Sequence, residues 1–317
     1  DCLLSRGLGD VYKRQALVWA VFARHFPLTV NERIDWAQVH WRLFDPQRAW
    51  DVLNIDTRDI DSAEYWRMRA GLAWDLERDD ELRFAYENML ARDIELTFGE
   101  ESQLINLYLV EDPRQSLDLL VESWQRTGDP QRLFMALQLA EQLDDWPLFK
   151  QLVAEGEASP KSKGREQLLL AQGTLASREG RNADAERLYR QGLARFPEQV
   201  VFRERLLWLL VDQGRNAELA LLTEQWQPQA RNESVLWLPF AAATQRLGRH
   251  QQALAWYRLY LGANQPDFLV QAAYADALEQ AGYFDQALRL RHRLLSEWPA
   301  KGVSEEPRRY TTVSYTH

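Results

Sequence analysis

Small and large apolar residues return along this chain in columns 34 residues apart, and the columns predict paired helices. The stretch 166–199 shows the pattern most fully. Gly173 and Gly192 are small where two helices would cross, Ala185 is small on the second helix, and Tyr189 is large one turn later. Gly180 separates the helices and Pro197 ends the second. Helices approach to about 8–10 Å only where crossing residues are small and large side chains fill the flanks. Glycine at the turn can take the left-handed conformation that closes a helix. Gly214, Gly248 and Gly282 repeat the turn, Ala253 and Ala287 repeat Ala185, Tyr257 repeats Tyr189, and Pro299 repeats Pro197. In the unit that starts at Val200, Leu219 takes the alanine column.

Upstream the glycines leave the turn but the period continues. Asp45-Pro46, Asp79-Asp80, Asp112-Pro113 and Asp145-Trp146-Pro147 fall at steps of 33 or 34 and lead into Gly180. Aspartate caps the following helix and proline suits its first position. The unit over 65–98 shows Trp66, Ala70, Gly71, Ala85 and Ala91, whereas that over 99–131 is the least regular. Turns near 45, 79, 113, 146, 180, 214, 248 and 282 therefore mark eight repeats, with no strand pattern between them. Small, small and aromatic columns ending in proline, at this period, resemble the tetratricopeptide repeat. The resemblance implies an all-α fold, a right-handed α-solenoid of helix-turn-helix repeats.

The two ends read differently. Residues 10–15 translate GAT GTG TAT AAG AGA CAG, which resembles the transposon end used to prepare sequencing libraries. Its reverse complement, in another frame, encodes 313–317. Residues 1–15 and 313–317 are therefore read as scars, and 16–312 as an internal stretch of a longer protein. Within it, 16–30 is a truncated repeat, 31–164 holds degenerate repeats, 165–301 holds regular ones, and 302–312 starts a further repeat or linker. The apolar run from Ala16 to Ala23 is too short for a membrane helix, because Arg24 and His25 interrupt it. Ala16 and Ala23 instead fit the two small columns of a second helix that Pro27 ends. The polar stretch 155–164 is read as a lengthened loop between repeats, with a hinge as the alternative.

Composition narrows the chemistry. A formal net charge of −9 without a clustered basic face argues against nucleic acid. The single cysteine, Cys2, lies in a scar, so no disulfide or thiol chemistry is expected. His25, His40, His250 and His292 have no partner at metal-ligand spacing, and no glycine loop suits a phosphate. No catalytic residue, metal or cofactor is expected, and the chain is read as a non-enzyme. Trp19, Trp36, Trp66, Trp74, Trp146, Trp237 and Trp256 are read as packing residues.

In such a solenoid the first helix of each unit lines the concave groove, at unit positions 2, 5, 9, 12 and 13. These columns supply the candidate partner-binding residues Glu204, Trp208, Asp212, Gln245, Arg246, Asp276 and Glu279. Trp208 stands out as an aromatic anchor, with packing against the next repeat as the equal alternative. The lysines and asparagines of a carboxylate-clamping groove are absent: positions 5 and 9 carry Leu170, Glu204, Leu238 and Ala272, and Thr174, Trp208, Ala242 and Asp276.

Two stretches go beyond the generic repeat. They are Leu236-Trp237-Leu238-Pro239-Phe240-Ala241-Ala242-Ala243 and Gln271-Ala272-Ala273-Tyr274-Ala275-Asp276-Ala277-Leu278. With Gly248, His250, Ala253, Leu254, Ala255, Trp256 and Tyr257 between them, 236–295 resembles the Pel exopolysaccharide export protein (PelB) family. The resemblance implies a periplasmic protein-interaction scaffold, tethered to the outer membrane through a β-barrel outside this stretch. Its partners would be a polysaccharide-modifying enzyme, other export components and polysaccharide. Two alternatives stay open: a cytoplasmic adaptor that binds peptide segments, and the repeat arm of an enzyme whose catalytic domain lies elsewhere.

Overall fold

The computed structural model describes the backbone of residues 2–264 and 268–297 and the side chains of 10–264 and 268–296. Pro299, the stretch 302–312 and the terminal segment 313–317 lie outside the described residues. Seventeen α-helices, a short 3-10 turn at Ser234–Leu236 and no strand are found among those described. The all-α array of helical repeats is thus the observed architecture.

The chain divides into two compact units, one through Leu120 and one from Val121. The first holds α1 (Cys2–His25), α2 (Val30–Arg42), α3 (Pro46–Leu53), α4 (Ala63–Asp75), α5 (Asp79–Leu90) and α6 (Phe98–Glu111). Helix α7 (Pro113–Thr127) contains the division. The second holds α8 (Pro130–Gln142), α9 (Trp146–Ala158), α10 (Glu166–Arg178), α11 (Asn182–Arg195) and α12 (Val201–Gln213). It continues with α13 (Asn216–Ala230), α14 (Trp237–Arg246), α15 (His250–Ala263), α16 (Phe268–Gln280) and α17 (Phe284–Glu297). Helices pack as sequence-adjacent pairs such as α2 with α3, α10 with α11 and α14 with α15. The second helix of a pair then packs on the first helix of the next, as α11 does on α12. All eight helix-to-helix turns fall where the period places them.

The upstream turns keep the left-handed residue although they lose the glycine. Gly180, Gly214, Gly248 and Gly282 have φ between +69° and +86°, and Phe44, Glu77 and Asp144 take the same place with φ of +59°, +54° and +56°. The backbone shape is therefore set by pairing the two helices, and side chains are forced into it where glycine is missing. The turn between α6 and α7 has no such residue: Asp112 alone separates them, at φ −143°. Asp45 and Asp145 cap the next helix, with Oδ1 accepting from the N–H of Arg48 and of Leu148 at 3.1 Å. Asp112 Oδ1 likewise accepts from Arg114 at 3.1 Å. Asp79 departs from this scheme, because α5 begins at Asp79 itself and its N-cap is Arg78. The acidic first turn then favours the helix dipole instead.

Three other expectations need correction. Residues 155–158 belong to α9, so only 159–165 form a loop. The loop does not part its neighbours: Leu168 of α10 packs over Gly156, where a Cβ would lie 2.8 Å from its methyl carbon. Ala91 is an exposed C-cap residue rather than a crossing residue, because α5 ends at Leu90. Trp74 is 56% exposed and is not a core residue.

The first unit's core gathers Ile34, Trp50, Tyr65, Trp66, Leu72, Leu82, Tyr86 and Met89, among others. Tyr65 Oη donates to the Leu53 carbonyl at 3.0 Å and Trp66 Nε1 to that of Ile60 at 2.9 Å, so both aromatics are buried with their polar atoms satisfied. The second unit's core includes Ala185, Tyr189, Phe202, Leu206, Leu219, Phe240, Ala253, Trp256, Tyr257 and Ala287.

Candidate functional site

The repeat columns determine which side chains are left for other work. Ala185, Ala253 and Ala287 are buried at helix contacts, and Leu219 fills the same column. Tyr189 and Tyr257 are buried beside them. A Cβ on Gly173 would sit 2.4 Å from the Tyr189 ring, and one on Gly192 would sit 2.3 Å from the Phe202 ring. Gly173 and Gly192 therefore permit the close approach that the spacing implied. Gly180, Gly214, Gly248 and Gly282 serve the turns, and Pro197 follows the end of α11 at Arg195.

The face made by the first helices of the second unit carries the candidate binding residues. Asp212, Arg246, Asp276 and Glu279 are exposed there. Arg291 of α17 pairs with Asp276 at 2.7 Å and with Glu279 at 2.5 Å. The Arg246 guanidinium lies over the Gly214 turn. Gln245 is half-buried; it accepts from Tyr257 Oη at 2.9 Å and donates to Gln280 at 3.2 Å. Trp208 is half-buried and lies against the Glu204 carboxylate.

Glu204 differs from the others. It lies in a largely enclosed ionic cluster with Arg205 and, from α8, Glu141. Burial pushes its carboxyl pKa above the usual range, and Glu141 adds to the effect, while Arg205 and Trp208 oppose it. The arginine stays charged, because the two carboxylates outweigh its own burial.

The groove-column rule also finds a residue assigned above to the core. Trp74 precedes the left-handed turn residue Glu77 by three, as Ser177 precedes Gly180, so it occupies unit position 12. Glu141 likewise precedes Asp144 by three and so occupies position 12, whereas Arg205 carried no such signal. Their meeting spans two repeats, and position 6 is not a groove column.

Two other features are excluded as sites. A cleft of about 700 Å³ lies between α1 and α2, but Val11, Tyr12, Arg14 and Gln15 form one wall, within the segment read as a scar. The ladder in which Arg190 and Arg215 alternate with Glu186 and Glu218 joins α11 to α13. Such partly exposed pairs contribute little individually. Among the described residues no group of three or more His, Cys, Asp or Glu could hold a metal ion. No helix there is long and apolar enough to cross a membrane.

Comparison with known proteins agrees with this geometry. The tetratricopeptide repeat profile matches residues 21–299. The chain belongs to the tetratricopeptide repeat family. Among solved structures, it resembles a tetratricopeptide repeat protein from Parabacteroides merdae ATCC 43184 at 12% identity and a TM-score of 0.54, over 78% of this chain and 98% of that one. It also resembles the human IFIT1 dimer with PPP-AAAA, at 12% identity and a TM-score of 0.53, over 92% of this chain and 72% of that one. No curated protein matches the sequence. Tetratricopeptide arrays generally mediate protein–protein interaction through the extended surface that stacked repeats present.

Proposed function

We propose that this array is a non-enzymatic docking scaffold for exopolysaccharide export, working in the periplasm as part of a longer protein tethered to the outer membrane. One observation carries the scaffold reading. The regular columns are occupied by packing and turns, while the first-helix face keeps polar side chains that the core does not use. The export role rests on the resemblance of 236–295. In that segment Phe240 and Trp256 meet at 5.1 Å between centroids with their rings tilted by 59°, and Ala241, Ala243, Ala253 and Tyr257 are buried around them.

The test is affinity capture with the full chain in a Pel-producing host. Recovery of a polysaccharide-processing enzyme is the expected result. Recovery of unrelated proteins only would remove the export role. Half-exposed Trp208 favours a second reading, a cytoplasmic adaptor that holds a peptide segment of its partner. On that reading Trp208→Ala weakens the partner complex while the helical circular dichroism signal is unchanged.

A further inference from the structure

The loop between α9 and α10, Ser159-Pro160-Lys161-Ser162-Lys163-Gly164-Arg165, holds two of the chain's five lysines. It is a built turn and not a slack connection. Ser162 is fully buried, and its Oγ donates to the Gly156 carbonyl at 3.2 Å. The N–H groups of Ser162 and Lys163 donate to the Ser159 carbonyl at 3.2 and 3.0 Å, and the N–H of Arg165 donates to the Ser162 carbonyl at 3.0 Å. Arg165 Nε donates to the Lys161 carbonyl at 2.8 Å. Arg195, from the end of α11, donates through Nη2 to the Gly164 carbonyl at 3.1 Å. Lys161, Lys163, Arg165 and Arg195 are all exposed around this turn. Lys161 also reaches the turn between α7 and α8, because a Cβ on Gly128 would lie 3.8 Å from its Nζ.

The charge of these four residues is not used inside the chain. Acidic residues outnumber basic ones by 47 to 38, and other cations are paired, as Arg190 and Arg215 are with Glu186 and Glu218. Lys150, on α9, pairs with Glu179 at 2.6 Å. Among the described residues, no carboxylate forms an ion pair with Lys161, Lys163, Arg165 or Arg195. Glu155 instead accepts from Trp124 and Gln151, Glu157 accepts from Gln172, and Asp129 caps α8 through the N–H of Gln131. Like charges gathered on one turn attract an opposite charge that reaches several of them, and a turn already fixed loses little entropy on binding. Four cations fall short of the roughly 6–10 phosphate contacts of a duplex binder. The loop carries no aromatic or aliphatic side chain to enter a lipid surface. A run of carboxylates on a protein segment needs neither.

We infer that the 159–165 loop, with Arg195, is a docking point for an acidic segment of a protein partner, one with several Asp or Glu side chains in succession. This rests on the scaffold reading above. The contact lies at the ends of the second helices α9 and α11, apart from the groove columns of the first helices.

The test follows the backbone N–H signal of Gly164 by NMR in the full chain. Two probes are titrated at low ionic strength: acetyl-Gly-Glu-Asp-Glu-Asp-Gly-amide, and the same peptide with glutamine and asparagine in place of its acids. The acidic peptide is expected to shift the signal saturably and to bind about fivefold or more tighter than its neutral isostere. Lys161→Gln combined with Lys163→Gln, checked for folding by circular dichroism, is expected to cut that ratio to about half or less. No saturable shift, equal affinities, or a ratio unchanged by the double substitution overturns the inference. So does an equal loss with Lys150→Gln, which removes a lysine outside the loop and would assign the effect to net charge. A response of Gly164 to phosphatidylglycerol vesicles or single-stranded DNA at lower concentration than to the acidic peptide overturns it too, by assigning the loop to lipid or nucleic acid. If the captured partner is held equally by wild type and the double variant, the acidic docking point fails while the scaffold reading stands.

Discussion

Phe44 is 94% exposed and holds φ at +59°, a conformation that costs a residue with a Cβ about 1–2 kcal/mol. Glycine avoids that cost but gives back about 0.5–1 kcal/mol in unfolded-chain entropy. Phe44→Gly and Glu77→Gly should each stabilise the first unit by about 0.5–1 kcal/mol in urea unfolding. Asp144→Gly should gain less, because a short polar side chain tolerates the left-handed region. A loss of stability in the Phe44 variant would show that its ring makes a contact worth more than the strain. Glu204 gives a pH prediction of defined sign. Its folded pKa is raised, so the folded state binds this proton more tightly than the unfolded chain. The corresponding stability is present below the ordinary glutamate range and is lost as pH rises through the raised value. Glu204→Gln should therefore flatten the pH dependence of unfolding above that range, and an unchanged slope would assign the dependence to another group.

At the scale of the helix pair, closeness of approach decides stability. Tyr189 lies directly over Gly173, so Gly173→Ala places a methyl where the ring already is. Overpacking of this kind costs about 1–3 kcal/mol, and the α10–α11 pair should lose that much by denaturant titration. Reducing the ring with Tyr189→Leu in the same chain should recover part of the loss. Termini matter less but follow the same local logic. Thr29 and Thr97 form capping boxes with Glu32 and Glu100, fixing where α2 and α6 begin. The pairs and the Asp45, Asp112 and Asp145 caps were legible in sequence because both depend on residues within one 34-residue unit; Asp79 was not a cap, and the two threonine boxes carried no repeat period. Trp74 was misread because helical spacing alone does not say which side of a first helix meets its neighbour. Counting back from the turn would have placed it correctly.

At the scale of the whole molecule, each unit has its own core, one spanning Ile34 to Leu104 and the other Leu169 to Ala287. Repeats contact mainly their neighbours, so damage should remain near its origin. Ala253→Leu, at a fully buried crossing, should cost about 1–3 kcal/mol. Hydrogen exchange should then quicken in α14, α15 and α16 while α2–α5 keep their protection. A uniform loss across both units would contradict nearest-neighbour stability. The division at Leu120 had no sequence mark, since α7 reads as one amphipathic helix and the change in turn chemistry lies further on.

The sequence by itself determined the repeat length, the helix pairs, all eight turns and the crossing residues other than Ala91, because each follows from spacing within one unit. It also directed attention to the first-helix face, since positions there recur with the period. Only the tertiary structure decided that Phe44, Glu77 and Asp144 adopt the glycine conformation, because pairing of the helices imposes it on whichever residue is there. Only the tertiary structure brought Arg205 to Glu141, 64 positions earlier in the chain. A charge cluster built across two repeats depends on how first helices stack, and no spacing within a single unit encodes that.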